Sequence, residues 1–195
     1  MLPFAPADCT AFPFVPGEYR IKHLSERWEH AACLALRRQV FCREQQIFED
    51  DDADARDAHA LPIAAIACIA GLPEQLVGTV RIHCDDAEAA HWSGSRLAVH
   101  PDFRRSAWLG SELIRHAVST ATARGCQRFT AQVQAQNRAL FERLHWRVIE
   151  ATTIRHRPHF LMEADLGHYA ARQADEIAWY TSRPGAARTQ WQRAA

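Results

Sequence analysis

One stretch constrains this 195-residue chain more than any other: Arg96 to Ser111, RLAVHPDFRRSAWLGS. An apolar strand ends at Val99. A His-Pro turn follows, then two arginines, a corner of small residues, and a helix that starts near Trp108. A strand that feeds a helix through a loop aims the loop's backbone N–H groups and the helix N-terminus at one point, which suits an anion. Arg104 and Arg105 add charge-assisted hydrogen bonds of the kind that hold phosphate. The stretch predicts a site for a phosphorylated cofactor, and so separates a coenzyme-dependent α+β domain from a generic one.

The length allows one sizeable core and is too short for two comfortable domains. Lys plus Arg number 23, as do Asp plus Glu, so the formal charge is zero. That balance argues against broad electrostatic capture of nucleic acid or an anionic membrane. No apolar run reaches the length of a transmembrane helix. The start, MLPFAPADC, lacks the basic segment and long apolar run of a secretory signal. Cys9, Cys33, Cys42, Cys68, Cys84 and Cys126 form no CxxC pair and read as reduced, mostly buried thiols. A cytoplasmic protein is expected.

Residues 1 to 16 hold Pro3, Pro6, Pro13 and Pro16 and read as an irregular arm. Tyr19 to Leu24 suits a short strand, and Ser25 an N-cap for a helix from about 26 to 45, with Trp28, Ala31, Ala32, Ala35 and Leu36 as its apolar stripe. The run EDDDADARD at 49 to 57 is an acidic loop. Asp50, Asp52 and Asp54 are spaced like the start of a calcium loop, but Ala55 and Leu61 stand where such a loop needs Gly and Glu. Three strand-like runs follow, 62 to 70, 76 to 84 and 92 to 99, with turns around 72 to 75 and 85 to 90. A helix over about 108 to 124 carries Trp108, Leu109, Leu113, Ala117, Val118 and Ala121 on one side and ends at Gly125. Then come a strand (128 to 134), a short helix (137 to 144) and an antiparallel pair (146 to 153 and 158 to 166). After Gly167 the chain reads as a helix to about Tyr180, a Pro184-Gly185 turn and a polar tail. The expected organisation is an arm over 1–16, one domain over 17–166, and a C-terminal helix and tail over 167–195. The order β-α-β-β-β-α-β-α-β-β makes an α+β fold with a mixed, mostly antiparallel twisted sheet of six to seven strands and helices on both faces.

Three separated pieces carry a resemblance. LRRQVFCREQQIFEDDDADARDAH at 36 to 59 looks like the R-x-x-V-F-x-x-E-Q…D-x-x-D…H stretch of ElaA-type bacterial acetyltransferases. RLAVHPDFRRSAWLGSELIRHA resembles an acetyl-CoA-binding motif, Q/R-x-x-G-x-G/A. VQAQNRALFERLHWRVI followed by RPHFLM is similar to an asparagine-bearing helix, an FYxKLGF segment and a closing Pro-His strand. Together they resemble the GCN5-related N-acetyltransferase (GNAT) superfamily over roughly residues 19 to 166. The resemblance implies a GNAT-like fold and the use of acetyl-CoA as co-substrate. It implies that Arg104, Arg105, Ser106, Ala107, Trp108, Leu109, Gly110 and Ser111 form the pyrophosphate loop. Leu97, Ala98 and Val99 would line the pantetheine arm as a strand edge, with Asn137 on its other side. The chain departs from the pattern at three places. Trp108 stands at the first glycine of the motif, where glycine lets the backbone come close. Phe141 stands at the tyrosine that protonates the leaving thiolate, and a phenyl ring has no proton to give. His145 replaces the glycine before Trp146.

Acyl transfer from a thioester to an amine needs a neutral amine, a polarised carbonyl and a protonated leaving thiolate. Glu44, in the piece resembling VFxxEQ, is a candidate base or a helix-end carboxylate in a salt bridge. His159, in the Pro-His strand, is a candidate proton acceptor near neutral pH or an ordinary strand residue. His59 reads as a strand-start residue, and Arg37 and Arg38 as solvated helical arginines, one of which could meet the acidic loop. No metal site is expected: His156 and His159 fall on opposite faces of a strand, and no HExxH or Cys/His ligand pattern occurs. There is no GxSxG elbow, and no cysteine has an evident basic partner. The expected activity is transfer of an acetyl group to a primary amine of a small molecule, in a ternary complex. A longer acyl donor, or a non-catalytic acyl-CoA-binding module, stays open. Neither nucleic acid nor membrane is an expected partner, and a homodimer is compatible with the sequence.

Overall fold

In the computed structural model of the chain, residues 16–105 and 108–172 are described, together with the backbone of two short strands beyond them. The expected arm lies almost wholly outside these residues. The elements are β1 (Glu18–His23), α1 (Arg27–Arg37), β2 (Leu61–Ile69), β3 (Leu72–Asp86), β4 (His91–Val99), α2 (Trp108–Ala123), β5 (Arg128–Gln134), α3 (Arg138–Arg143), β6 (Trp146–Ile154), β7 (Arg157–Ala164), β8 (Glu176–Tyr180) and β9 (Thr189–Gln192). One sheet runs β6-β7-β5-β4-β3-β2-β1-β8-β9. Its ladders are antiparallel except β4–β5, which is parallel. That exception follows from α2, because a parallel pair needs a crossover, here a helix, to bring the chain back.

The sheet is mixed, as expected, and its first seven strands follow the expected order. The count is higher than six or seven because the predicted helix after Gly167 is absent over 176 to 180. There the backbone is β8, which pairs with β1 from Glu18↔Tyr180 to Lys22↔Glu176. β1 would otherwise present an unpaired edge, and the run EIAWY has the β-branched and aromatic content of a strand.

α2 covers one face. Leu109, Leu113, Ala117, Val118 and Ala121 are buried with Val80, Ile82 and Phe129 in the larger core, which matches the predicted stripe. A Cβ on Gly78 would lie 2.8 Å from Leu113 Cδ1, so glycine is what lets helix and sheet approach there. Gly125, at φ +85°, ends the helix as expected. α1 covers the other face, but not with the expected stripe. Cys33, Leu36 and Val40 pack on Ala64, Ile66 and Cys68, while Trp28, Ala31 and Ala35 are exposed. The helix also starts one residue later than predicted, with Glu26 as N-cap. The buried Glu29 carboxylate accepts the backbone N–H groups of Ser25 and Glu26 at 2.8 and 3.1 Å, so Ser25 is not the cap. From Arg38 to Glu44 the helix widens to a π turn, closed by Gln45 N–H to Val40 C=O at 2.9 Å. The turn expected around 72 to 75 is tighter, at Ala70 and Gly71, both with positive φ. No helix among the described residues is long and apolar enough to cross a membrane.

Candidate active site

β4 and β5 pair only from His91↔Arg128 to Gly94↔Ala131. Beyond that point β4 continues to Val99 and β5 to Gln134 without a ladder, so the two strands part. At the parting, β4 carries an extra residue: Thr79 faces Ala98 and Arg81 faces Ser95, leaving Arg96 and Leu97 opposite Val80. Arg96 takes φ +56° there, a left-handed conformation that costs a non-glycine residue about 1–3 kcal/mol. His100 N–H bonds Val77 C=O at 2.8 Å, toward β3. Backbone groups alternate edges along a strand, so those of Leu97 and Val99 turn to the cleft.

A cavity of about 420 Å³ occupies the cleft. Its α2-side wall is apolar, with Ile114, Ala117, Val118, Phe129, Phe141 and Trp146. Its α1-side wall carries the polar groups Asp54, Arg81, His83, Asp85, Ser93 and Thr130 beside Phe41, Ile47 and Phe48. Leu97, Asn137 and His159 line it too, and these are three of the predicted site residues. His159 is buried and its Nδ1 lies 2.9 Å from Arg157 C=O. A carbonyl only accepts, so Nδ1 carries the proton, and in the neutral ring Nε2 holds the lone pair. Phe141 packs its ring edge-on to Trp146, centroids 5.0 Å apart.

Other predicted residues fall elsewhere. Glu44 does not line the cavity. It is bound by both Arg104 nitrogens, Nη1 and Nη2, at 2.6 and 2.7 Å, and that pairing holds its carboxyl below the usual range despite partial burial. Arg104 also donates to Val99 C=O at 2.9 Å, so its expected role is displaced: it is committed to protein groups rather than open to phosphate. Arg105 is exposed at the loop and has no ion pair among the described residues. Trp108 is half-buried, its ring edge-on to Tyr19 at 5.2 Å. Leu109 and Ala98 are both buried. Gly110 and Ser111 lie in the first turn of α2, whose N-terminus follows the end of β4. Ser106 and Ala107 lie outside the described residues. His59 is exposed and away from the cavity.

In the acidic loop, the carboxylates of Asp52, Asp54 and Asp57 are bound by three arginines. Arg37 holds Asp52 at 2.9 Å and Asp57 at 2.7 Å, Arg81 holds Asp54 at 2.6 Å and Asp57 at 2.7 Å, and Arg96 holds Asp52 at 2.8 Å and Asp54 at 3.1 Å. Arg37 is thus buried against the loop, whereas Arg38 stays on the surface with Asp51. Phe48 sits between Arg96 and Arg155, whose guanidinium carbons lie 4.8 and 4.5 Å from its ring centroid. Arg155 and Arg157, at the β6–β7 turn, reach across to the carbonyls of Ile47 and Gln45. The sequence reading missed Arg81, His83 and Asp85. Their signal was present: V-R-I-H-C-D in β3 alternates polar residues onto the face that α1 covers.

The acetyltransferase (GNAT) family model matches residues 26–146, more than half of the chain. The chain belongs to the GNAT acetyltransferase family. Members of this family transfer acyl groups from acyl-CoA, so the GNAT chain described here is an acyltransferase of that general kind. Among solved structures it is similar to ElaA of Escherichia coli, at TM-score 0.64 and 20% identity over 75% of this chain and 98% of that one. It is also similar to an acyl-CoA N-acyltransferase from Pseudomonas aeruginosa, at TM-score 0.59 and 22% identity over 75% and 98%. FeeM, an N-acyl amino acid synthase from uncultured soil microbes, matches at TM-score 0.59 and 15% identity over 77% and 91%. At these identities the likeness is one of fold. No curated protein matches the chain.

Proposed function

We propose that this GNAT protein is a cytoplasmic, acetyl-CoA-dependent N-acetyltransferase that acts on the primary amine of a small molecule by direct transfer in a ternary complex. The observation that carries the reading is the parting of β4 from β5 after Gly94 and Ala131, with a cavity in the gap and the α2 N-terminus at the far end of β4. Acetyl-CoA would lay its pantetheine arm along the backbone edge at Leu97 and the Val99 N–H, the Val99 C=O being bonded to Arg104, as an added strand does. Asn137 would face it from the other side. The diphosphate would meet the N–H groups of residues 105–111 and the positive end of α2, with Arg105 as the arginine left to reach it. The amine attacks the thioester carbon from the polar side. His159 Nε2 is the better placed proton acceptor of the two candidates. Glu44, locked to Arg104 and lowered in proton affinity, is the poorer base. With Phe141 unable to donate, the thiolate takes its proton from the attacking amine. Holding the two reactants together supplies much of the rate without a dedicated acid.

A longer acyl donor is the second reading. The apolar α2-side wall, from Ile114 to Val118 with Phe129 and Trp146, favours it, because such a surface gains about 0.8 kcal/mol per buried CH₂.

Acetyl-CoA at a hundredfold its Kd stabilises the fold by about 2.7 kcal/mol, which raises Tm by roughly 5–10 °C in a chain of this size. Arg105→Glu is expected to remove that shift. Gly110→Val is expected to weaken it while leaving the fold intact, since a Cβ there meets only Val99 Cγ2, at 3.9 Å. Free-thiol release with a panel of primary amines, across donors from acetyl- to octanoyl-CoA, tests the chemistry and separates the two readings. No thermal shift with any acyl-CoA, or no thiol release across the panel, refutes the transferase.

A further inference from the structure

Two carboxylates line the cavity, and they are not equivalent. Asp54 is held by Arg81 and Arg96. Asp85 faces neither of these guanidinium groups within ion-pair distance. Its partners are the Nε2 of His83, at 3.0 Å, and the hydroxyl of Ser93. His83 is buried, and its Nδ1 has no hydrogen-bond partner among the described residues. A bulge between Cys84 and Asp86 makes Asp85 the extra residue of β3, the device by which strands re-aim a side chain. Ser93 directly precedes Gly94, the last β4 residue paired with β5. Asp85 is therefore tied, through Ser93, to a point about one residue, ~3.3 Å along the strand, before the last paired position of β4.

We propose that Asp85 is the subsite for a cationic primary amine acceptor, with His83 and Ser93 as positioning residues. The proposal rests on the transferase reading for the amine's fate, though not for its binding. A carboxylate in a partly enclosed cavity attracts an ammonium, and a neutral His83 leaves it without a paired cation. Burial pushes the imidazole pKa down, Asp85 pushes it up, and Arg56 and Arg81 push it down again. Arg81 is itself matched by Asp54 and Asp57, and Arg56 makes no ion pair with Asp85 among the described residues. Arg96 and Thr130, facing from β4 and β5, are bonded to the acidic loop and to His91 with Ser93. Neutral His83 donates through Nε2–H to Asp85. Protonated His83 would cancel the charge that the amine needs, so acceptor binding weakens as pH falls through the lowered pKa of His83. In the transfer, the bound ammonium gives one proton to a base. Its freed lone pair forms the C–N bond as the C–S bond breaks, and the departing sulfur takes a second proton from nitrogen. The products are the amide and free CoA.

The test uses the full chain labelled with ¹⁵N-histidine, and n-butylammonium as probe. Butylammonium should shift the His83 ring nitrogens, while 1-butanol should not. Asp85→Asn should abolish the shift and Asp85→Glu retain it. In the thiol-release assay, Asp85→Asn should raise KM for butylammonium about ten- to hundredfold, the worth of a hydrogen bond to a charged group. His83→Gln, which keeps a donor for Asp85, should preserve binding and remove the loss at low pH. An unshifted His83 in the wild-type protein overturns the subsite. Thiol release with an unchanged KM in Asp85→Asn overturns it too, and leaves the transferase standing. A shifted His83 with no thiol release across all amines and donors does the reverse: it supports the subsite and removes the transferase.

Discussion

Arg37 and Arg38 are neighbours in sequence with opposite surroundings, and replacing each with Met tests what the acidic loop does. Arg37 donates to Asp52 Oδ2 at 2.9 Å, to both Asp57 oxygens at 2.7 and 3.0 Å, and to Asp52 C=O at 3.3 Å. Its side chain and that of Asp52 are 4% and 1% exposed. Arg37→Met leaves Asp52 buried with Arg96 as its remaining cation, at 2.8 Å. Removing one partner of a buried pair costs about 3–5 kcal/mol, because the other charge is stranded. For a chain of this length that lowers Tm by roughly 6–20 °C. Arg38 meets Asp51 at 3.3 Å with both side chains half exposed, and such pairs are worth about 0–1 kcal/mol. Urea unfolding followed by far-UV circular dichroism reads the difference as a shift in midpoint at constant slope. Arg37→Met unfolding within about 1 kcal/mol of Arg38→Met would refute the assignment of the loop's aspartates as a buried anchor.

The same network sets an acid limit. Hydrogen bonds from Arg81 hold Asp54 below the usual carboxylate range. Burial pushes Asp57 up, but its bonds to Arg37, Arg81 and the Asp54 N–H outweigh that and hold it lower still. Carboxylates lowered in the folded state contribute stability that is full above about pH 4 and lost as pH falls below it. The unfolding midpoint should therefore be flat from pH 7 to about 5 and drop steeply beneath pH 4, and a flat acid limb would contradict the geometry. Glu44→Gln should leave kcat within about threefold of the wild-type value and cost under about 1 kcal/mol in stability, because it breaks one exposed pair. A loss of a hundredfold or more in thiol release would restore Glu44 as the base.

What could be read from the sequence depended on how local its cause was. The strand, loop and helix from Arg96 to Ala123 were legible because turn residues, a terminating Gly125 and an apolar stripe all lie within one stretch. The parallel pairing of β4 with β5 followed from the helix between them. The inward face of α1 was misread because its largest buried group is Arg37, whose partners lie 15 and 20 residues away. A periodicity rule counts such an arginine as a solvent residue. The pairing of Glu44 with Arg104 spans 60 residues, and it turned two candidate functional groups into partners of one another. β8 was misread for a related reason: its strand conformation is set by the free edge of β1, more than 150 residues earlier in the chain.

The acidic loop and the cleft are one device. β4 has every local reason to stay paired with β5, since its free edge would gain hydrogen bonds by closing. The pairing reaches Gly94, and one feature beyond it opposes closure. At Gly94 a Cβ would come within 3.1 Å of the Phe129 ring, so the strands meet there only because the residue is glycine. Two residues on, Arg96 is held left-handed while its guanidinium bonds Asp52 C=O at 2.6 Å and Asp54 at 3.1 Å. The strain of about 1–3 kcal/mol is offset by charge-assisted bonds of about 1.5–3 kcal/mol each. Closing the cleft would require Arg96 to leave the loop. The loop in turn is fixed to α1 through Arg37 and to β3 through Arg81, so the open edge at Leu97 and Val99 exists before any ligand arrives. A cofactor that binds there meets backbone groups already turned toward it, and its binding energy need not be spent on parting the strands.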